Sequence, residues 1–173
     1  MNSGHARLSD WGLKHLQLKN TDHVLDIGCG GGANISRLLE SCPDGFVAGI
    51  DYSEESVKCS RKKNMDYIGK NCDIRTGNVS HIPYGDESFD IATAFETVYF
   101  WPDLYENFKE VRRILKPEGY FMICCEEGDP VNDKWSEKIE GMTVYSIIQL
   151  ADILKSAGFA VVQKDEKQNG KWI

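Results

Sequence analysis

Residues 24–32 read Val24-Leu25-Asp26-Ile27-Gly28-Cys29-Gly30-Gly31-Gly32, a short apolar run that ends in a cluster of glycines. Residues 23–27 are mostly apolar and stop at the glycines, which predicts a buried parallel strand. Residues 33–41 carry apolar side chains at helical spacing and predict a helix. The sequence therefore predicts a strand, a glycine turn and a helix in direct succession.

Short apolar runs and helical patterns alternate through most of the remaining chain. Further strands are predicted at 46–51, 72–76, 89–95 and 120–125, and further helices at 53–68, 104–115 and 146–157, with Ser53 as an N-cap. This alternation predicts an α/β fold of the Rossmann-like, doubly wound type with a mostly parallel sheet.

The C-terminal residues predict an antiparallel hairpin added to this sheet. Residues 159–163 predict a sixth strand, and Asn169-Gly170 predicts a hairpin turn. Residues 171–173 then begin a seventh, antiparallel strand, which is either very short or truncated.

Length and composition indicate one globular unit. With 173 residues, of which 41% are hydrophobic, the chain is the size of a single domain over residues 1–173. Residues 1–20 predict either a helical lid over a pocket or a packed N-terminal helix.

Charge and residue usage argue against several function classes. The net charge of -7 repels phosphate backbones, so we expect no nucleic-acid partner. No run approaches the roughly 20 apolar residues of a membrane span, so we expect a cytoplasmic protein without a membrane partner. The six cysteines form no C-x-x-C pair, which is typical of reduced, packed thiols, and the four histidines are scattered, so we expect no metal site.

The glycine turn indicates a nucleotide-like ligand. Glycines let a ligand approach the backbone closely, and the following helix N-terminus favours a carboxylate or phosphate. Asp51 ends the second strand and is placed to accept hydrogen bonds from ribose hydroxyls.

Two cofactor classes compete for this turn. Gly28, Gly30 and Ala33 satisfy G-x-G-x-x-G/A, a pattern typical of nicotinamide dinucleotide sites. Asp26 argues against that class, because a carboxylate two residues before the first glycine repels a pyrophosphate but suits a ligand with an ammonium group. S-adenosylmethionine carries such a group. Asp26 and Asp51 also have a structural alternative, as helix caps or turn formers.

The ordered motifs resemble those of the class I S-adenosylmethionine-dependent methyltransferases, particularly the branch similar to quinone-biosynthesis and other small-molecule enzymes. Residues 25–32 are similar to the family's first motif, 49–53 to its acidic second-strand motif and 115–120 to the turn before its fifth strand. The resemblance implies an enzyme that binds S-adenosylmethionine and transfers its methyl group in line to a small-molecule acceptor.

The same resemblance implies contacts around the first two motifs. Gly28 and Gly30 would face the methionine part of the cofactor, beside Asp26. Asp51 would hold the ribose, and Tyr52 would lie beside the cofactor.

The resemblance also implies contacts farther along the chain. Asn78 and Val79 would flank the adenine; many relatives have an aspartate in place of Asn78, and an amide oxygen can also accept from the adenine amino group. Phe95 and Glu96, at the end of the fourth strand, would border the methionine end and the acceptor.

Methyl transfer from a sulfonium requires no protein nucleophile, so no catalytic residue is defined by the sequence. A general base helps if the acceptor loses a proton, and the candidates are Glu96, His5 and His15. The aromatic run 99–101 either lines an acceptor pocket or belongs to the core.

A competing function is a non-catalytic module that binds S-adenosylmethionine or NAD(P). Residues 95–99 stand where base-modifying relatives have Asn/Asp-Pro-Pro-Tyr/Phe, so we do not expect amino methylation of DNA bases. The sequence specifies neither the acceptor nor the oligomeric state.

Overall fold

The computed structural model describes residues 5–131, 134–167 and 172–173. Within these ranges, no helix has both the length and the apolar character needed to span a membrane. The elements in chain order are α1 Ala6–Leu13, β1 His23–Ile27, α2 Ala33–Ser41, β2 Phe46–Asp51, α3 Glu54–Lys63, β3 Cys72–Thr76, β4 Phe89–Phe95, a short 3₁₀ helix Val98–Phe100, α4 Leu104–Ile114, β5 Leu115–Cys124 and α5 Ile147–Ser156.

The five strands form one parallel sheet in the order β3-β2-β1-β4-β5. The strand order reverses between β1 and β4, and ligands of open α/β sheets bind at such a point, outside the carboxyl ends of the strands. The predicted Rossmann-like, mostly parallel sheet is confirmed, and the topology places the glycine turn after β1 at the reversal.

Helices cover both faces of the sheet. Leu25 and Ile27 belong to a buried cluster with side chains of α4 and α5. Val24 belongs to a second cluster with side chains of α2 and α3. Because successive side chains of a strand point to opposite faces, the two clusters are the two halves of a doubly wound core.

The third helix begins where the sequence predicts but ends earlier. The Ser53 hydroxyl accepts a hydrogen bond from the Ser56 backbone N–H at 3.3 Å, so Ser53 is the N-cap. The helix ends at Lys63 rather than near Ile68. Asn64 ends it, because its side-chain amide donates to the Ser60 carbonyl at 3.0 Å and satisfies an acceptor of the last turn.

The fifth strand is longer than predicted. It starts at Leu115, which pairs with Phe89 through an irregular register, rather than at Tyr120. The expected turn is a distortion inside an edge strand, where Glu118 has a φ of 65°. An edge strand tolerates Pro117 because one row of its backbone groups faces away from the sheet.

The predicted C-terminal hairpin is not shown in the described residues. Residues 159–163 form no strand; Lys167 bridges Trp172, and Ile173 exchanges backbone hydrogen bonds of 2.7 and 2.9 Å with Cys125, the residue after β5. These isolated contacts lack the continuous backbone ladder that makes two strands. The predicted turn at 169–170 lies outside the described residues.

Helix α1 lies over the carboxyl ends of β4 and β5. Leu8 is buried in a cluster with Phe95, Cys124 and Trp172. A side-chain carbon on Gly12 would lie 2.9 Å from the Cys124 sulfur, so this helix approaches β5 very closely. Whether residues 1–20 move as a lid stays a prediction.

Candidate cofactor site

The glycine turn after β1 combines one crowded and one open position. Gly28 and Gly30 have φ values of 77° and 52°, which L side chains rarely adopt. A Cβ on Gly28 would lie 2.4 Å from the Thr97 hydroxyl oxygen, whereas a Cβ on Gly30 would meet no atom within 4 Å. Gly28 therefore lets the turn pack against the loop after β4, and Gly30 faces space that a ligand can enter.

The far end of the turn is held by Asn64, which sequence reasoning missed. The Asn64 side-chain amide donates to the Gly32 carbonyl at 3.1 Å, and its amide oxygen accepts from the Ser36 hydroxyl at 2.7 Å. Asn64 is buried, so these bonds are shielded from water. No local pattern indicated this role, because the partners lie far from Asn64 in sequence.

Asp51 connects β2 to the glycine turn. Its carboxylate oxygens accept from the backbone N–H groups of Gly30 and Ser53, each at 2.9 Å. The next side chain, Tyr52, is 82% exposed. The structure thus brings the predicted ribose-binding carboxylate and the predicted cofactor-facing tyrosine to the edge where the glycine turn lies.

Asp26 is a buried carboxylate inside β1, with 2% of its surface exposed. The pKa of Asp26 is raised to about 7, mainly by burial. The charge of Asp51 also raises this pKa, whereas the Thr93 hydrogen bond lowers it. The Thr93 hydroxyl donates to Asp26 at 2.8 Å. Thr93 was missed by sequence reasoning, although a polar residue inside the apolar run 89–95 was a usable signal.

The predicted adenine residues lie in a turn after β3. The Asn78 amide oxygen accepts from the Ser80 backbone N–H at 2.9 Å, and Asn78 forms a bridge with His81. The Val79 side chain is buried in the core. The structure therefore uses Asn78 to shape the turn and leaves the backbone of Val79, rather than its side chain, as the candidate contact.

Glu96 follows β4 in a backbone conformation that is rare for a side chain other than glycine, with a φ of 58°. One carboxylate oxygen accepts from the Glu126 backbone N–H, and the Tyr99 hydroxyl lies 3.2 Å from the same atom. Burial raises the pKa of Glu96, and the Glu126 backbone hydrogen bond opposes that shift. Its neighbour Phe95 is buried beneath α1.

The structure brings one of the two candidate histidines to Glu96. His5 Nδ1 lies 3.6 Å from a Glu96 oxygen and 3.0 Å from a Glu126 oxygen. His15 instead pairs with Asp165 at 2.8 Å, and this hydrogen bond raises the pKa of His15. Sequence reasoning missed Glu126, although it lies two residues after β5 at the carboxyl edge.

The aromatic run after β4 is mostly core. Tyr99 and Trp101 are buried, and Trp101 stacks on Phe121 with ring centroids 6.2 Å apart. Phe100 is 48% exposed. Of the two interpretations of this run, core packing holds for Tyr99 and Trp101, and acceptor contact stays a prediction for Phe100.

Comparison with known proteins gives one consistent family. Residues 25–123 match the model of a family described as a methyltransferase domain. The chain is 34% identical to the demethylmenaquinone methyltransferase of Lactobacillus johnsonii over 122 residues, which cover 69% of this chain and 50% of that protein.

Solved structures show the same fold over nearly the whole chain. A SAM dependent methyltransferase from Aquifex aeolicus matches with a TM-score of 0.81 and 25% identity, covering 98% of this chain and 89% of that chain. The Haloferax volcanii protein solved in complex with the Trm112 methyltransferase activator matches with a TM-score of 0.87 and 26% identity, covering 96% of this chain and 74% of that chain.

The chain spans about half the length of the curated relatives it matches, 44% and 50% in two cases. The matched residues include the glycine turn, Asp51 and the end of β4, which are the parts that build the candidate site. This chain belongs to the methyltransferase domain family and has the class I fold.

Proposed function

We propose that this chain is a methyltransferase that binds S-adenosylmethionine along the carboxyl edge of β1, β2 and β4 and methylates a small molecule. One observation carries the proposal: two carboxylates, Asp26 and Asp51, are buried beside a glycine turn that opens onto free space at Gly30. Within the described ranges, neither carboxylate forms an ion pair with a basic side chain. Such a site favours a cationic ligand over the pyrophosphate of a dinucleotide.

The donor set fits the amino and ribose groups of the cofactor. Asp26 is suited to compensate an ammonium group, since a nearby positive charge favours its ionised form. Asp51 already accepts two backbone N–H groups, and a carboxylate has about four acceptor positions, so capacity remains for ribose hydroxyls. We assign the methionine part to Gly28 and Gly30, and one side of the cofactor to Tyr52.

The remaining cofactor contacts are assigned to the turn after β3 and to the end of β4. Asn78 keeps acceptor capacity on its amide oxygen for the adenine amino group, and Val79 offers its backbone. Phe95 supports the methionine end from below α1.

When bound, the cofactor supplies an electrophilic methyl group. The protein then has to hold the acceptor in line with that methyl and to exclude water. Glu96 is the candidate base, because its buried carboxylate has a raised pKa and stands at the end of β4. His5 lies beside it as an alternative, and His15 is assigned no role in this step.

We propose a small-molecule acceptor and a cytoplasmic location. The net charge of -7 disfavours a phosphate-rich acceptor. All six cysteines are free thiols, which suits a reducing compartment.

Calorimetric titration of the protein with S-adenosylhomocysteine, S-adenosylmethionine and NAD tests the cofactor assignment. We expect binding of the first two ligands with dissociation constants of about 1 μM, near 8 kcal/mol, and no heat with NAD. Binding of NAD alone overturns the proposal.

A second measurement separates an enzyme from a binding module. The protein is incubated with methyl-labelled S-adenosylmethionine and a panel of phenols, quinols, amines and carboxylates, and label transfer is followed. Transfer that is lost in Asp51→Ala supports a methyltransferase. Tight cofactor binding without transfer to any acceptor class favours the non-catalytic module.

A further inference from the structure

Three potential metal ligands converge from separate parts of the chain. His5 precedes α1, Glu96 follows β4 and Glu126 follows β5. One ligand atom from each residue lies within 4.8 Å of the other two. Such a grouping is not a product of local sequence, because the sheet order brings these three segments together.

One nitrogen of the imidazole in this cluster lacks a hydrogen bond, although the side chain as a whole is 43% exposed. His5 Nδ1 is shielded from solvent and has no hydrogen-bond partner among the described residues. It lies 3.0 Å from a Glu126 oxygen, but that contact does not have hydrogen-bond geometry. The two carboxylates would compensate a protonated imidazole, whereas a neutral imidazole would turn a nitrogen lone pair toward them, which is unfavourable unless a cation lies among the three atoms.

Neighbouring groups hold Glu96 in place. The Glu126 backbone N–H and the Tyr99 hydroxyl both contact the Oε1 atom of Glu96, which leaves Oε2 to face His5. Tyr99 is buried, and Glu96 adopts its unusual backbone conformation at this position. Such outer contacts orient metal-binding carboxylates in protein sites, and strained residues persist where the surroundings over-determine them.

We propose that His5, Glu96 and Glu126 form a binding site for a divalent transition-metal ion of the Mn²⁺ or Zn²⁺ type. One imidazole nitrogen and two carboxylate oxygens suit these ions better than Ca²⁺ or Mg²⁺, which prefer oxygen ligands alone. Metal–ligand bonds of roughly 2.1 Å in tetrahedral geometry place the ligand atoms about 3.4 Å apart. The two carboxylate oxygens lie within 4.8 Å of each other, so they have to approach by up to about 1.4 Å, a shift that rotation of the exposed Glu126 side chain permits.

Three protein ligands leave coordination positions for other groups. Given the proposed function, on which this step rests, an acceptor oxygen at such a position would lose its proton to solvent water more readily because the ion stabilises the oxyanion, and Glu96 and His5 would then act as ligands in place of a general base. Binding of the ion itself requires neither the cofactor nor the acceptor.

Electron paramagnetic resonance of Mn²⁺ titrated into tag-free, full-length protein tests the site. Free Mn²⁺ gives a sharp signal that is lost on binding, and Mn²⁺ avoids the thiols that also bind Zn²⁺. We expect one bound ion per chain, displaced by Zn²⁺, and at least tenfold weaker binding in His5→Gln and Glu126→Gln.

Glu127→Gln and His15→Gln are the matched controls, because each removes the same chemical group outside the cluster. Near-ultraviolet circular dichroism verifies that every variant is folded. Equal Mn²⁺ affinity in wild type, His5→Gln and Glu126→Gln overturns the site, as does the absence of binding at millimolar Mn²⁺. The titration with S-adenosylhomocysteine is performed without metal, so failure of one proposal is distinguishable from failure of the other.

Discussion

Asp26 is a carboxyl group that folding removes from water before any cation is bound. Among the described residues, the Thr93 hydroxyl is its hydrogen-bond donor, and burial raises its pKa to about 7. Ionisation in the folded state is therefore unfavourable near neutral pH, which is a cost that a bound ammonium group would offset.

The stability of the protein should therefore depend on pH through Asp26. Its folded pKa of about 7 is higher than the unfolded value, so between about pH 4 and pH 7 the unfolded chain loses this proton while the folded protein keeps it. The unfolding free energy is therefore highest, as far as Asp26 is concerned, below pH 4 and falls as pH rises to about 7. Asn does not titrate, so the difference in unfolding free energy between Asp26→Asn and wild type should grow in favour of the variant by roughly 2–3 kcal/mol when the pH is raised from 5 to 8. Urea denaturation at both pH values measures this difference, and an equal difference at the two values would contradict it.

Asp51 provides the corresponding prediction for binding. Asp51→Ala removes the proposed ribose acceptor and the carboxylate that holds the Gly30 N–H, so we expect at least tenfold weaker S-adenosylmethionine binding, about 1.4 kcal/mol. Asp44→Ala is the control, since Asp44 is exposed in the loop before β2. Calorimetric titration of the folded variants provides the comparison, and unchanged affinity in Asp51→Ala refutes the ribose assignment.

Two alanine substitutions in the glycine turn, Gly28→Ala and Gly30→Ala, should differ in their effects on stability and on ligand binding. Gly28→Ala forces a side chain against the Thr97 hydroxyl at 2.4 Å as well as into an unfavourable φ, so we expect a loss of about 2–4 kcal/mol of stability. Gly30→Ala meets open space and should cost about 1–2 kcal/mol from its backbone conformation, but it should block the ligand.

Urea denaturation and S-adenosylhomocysteine titration of both variants distinguish these effects. Gly85→Ala is the control, because its added carbon makes only an ordinary contact at 3.6 Å. Equal stability losses in Gly28→Ala and Gly30→Ala, with unchanged ligand affinity in the second, would be inconsistent with the open position at Gly30.

Helix α3 contributes to the site through its last turn rather than through a ligand contact. Asn64 ends this helix and bonds to the Gly32 carbonyl, so it links α3 to the glycine turn. Asn64→Ala should cost about 1–3 kcal/mol of stability, because the Gly32 carbonyl and the Ser36 hydroxyl lose a buried partner.

Thermal unfolding with and without S-adenosylhomocysteine measures both consequences of Asn64→Ala. We expect a lower melting temperature and a smaller ligand-induced increase, since a loosened turn binds the cofactor less well. Asn71→Ala is the matched control, because Asn71 is only half-buried and its side chain makes one long hydrogen bond of 3.4 Å. A variant at Asn64 that behaves like the one at Asn71 would exclude the positioning role.

At the scale of the whole molecule, α1 determines how enclosed the site is. Leu8 is buried against Phe95, so α1 is packed in this structure, and His5 before it reaches Glu96. We predict that cofactor binding stabilises this arrangement and that residues 6–13 act as a lid.

Hydrogen exchange followed by mass spectrometry measures the lid directly. We expect amide exchange in α1 to slow at least tenfold when S-adenosylhomocysteine is added, because opening then has to break ligand contacts as well. NAD is the control ligand and should leave the exchange unchanged. Identical exchange in the free and the S-adenosylhomocysteine-bound protein would make α1 a packed helix without a gating role.

The element pattern was predictable because strand and helix signals are local. β1, β2, β3 and β4 have the predicted bounds, as apolar runs that alternate with helical patterns specify buried parallel strands. The end of α3 and the start of β5 were not predictable, since the Asn64 contacts and the Leu115 pairing with Phe89 depend on distant segments. The C-terminal hairpin is not shown in the described residues, since residues 159–163 form no strand.

By itself, the sequence determined the α/β class, the glycine turn and the carboxylates Asp26 and Asp51, because each follows from residues adjacent in the chain. Only the tertiary structure decided that His5 joins Glu96 and Glu126 while His15 joins Asp165. The physical reason is that the order of strands in the sheet and the packing of α1 over β5 set these contacts, and both depend on interactions between residues far apart in sequence.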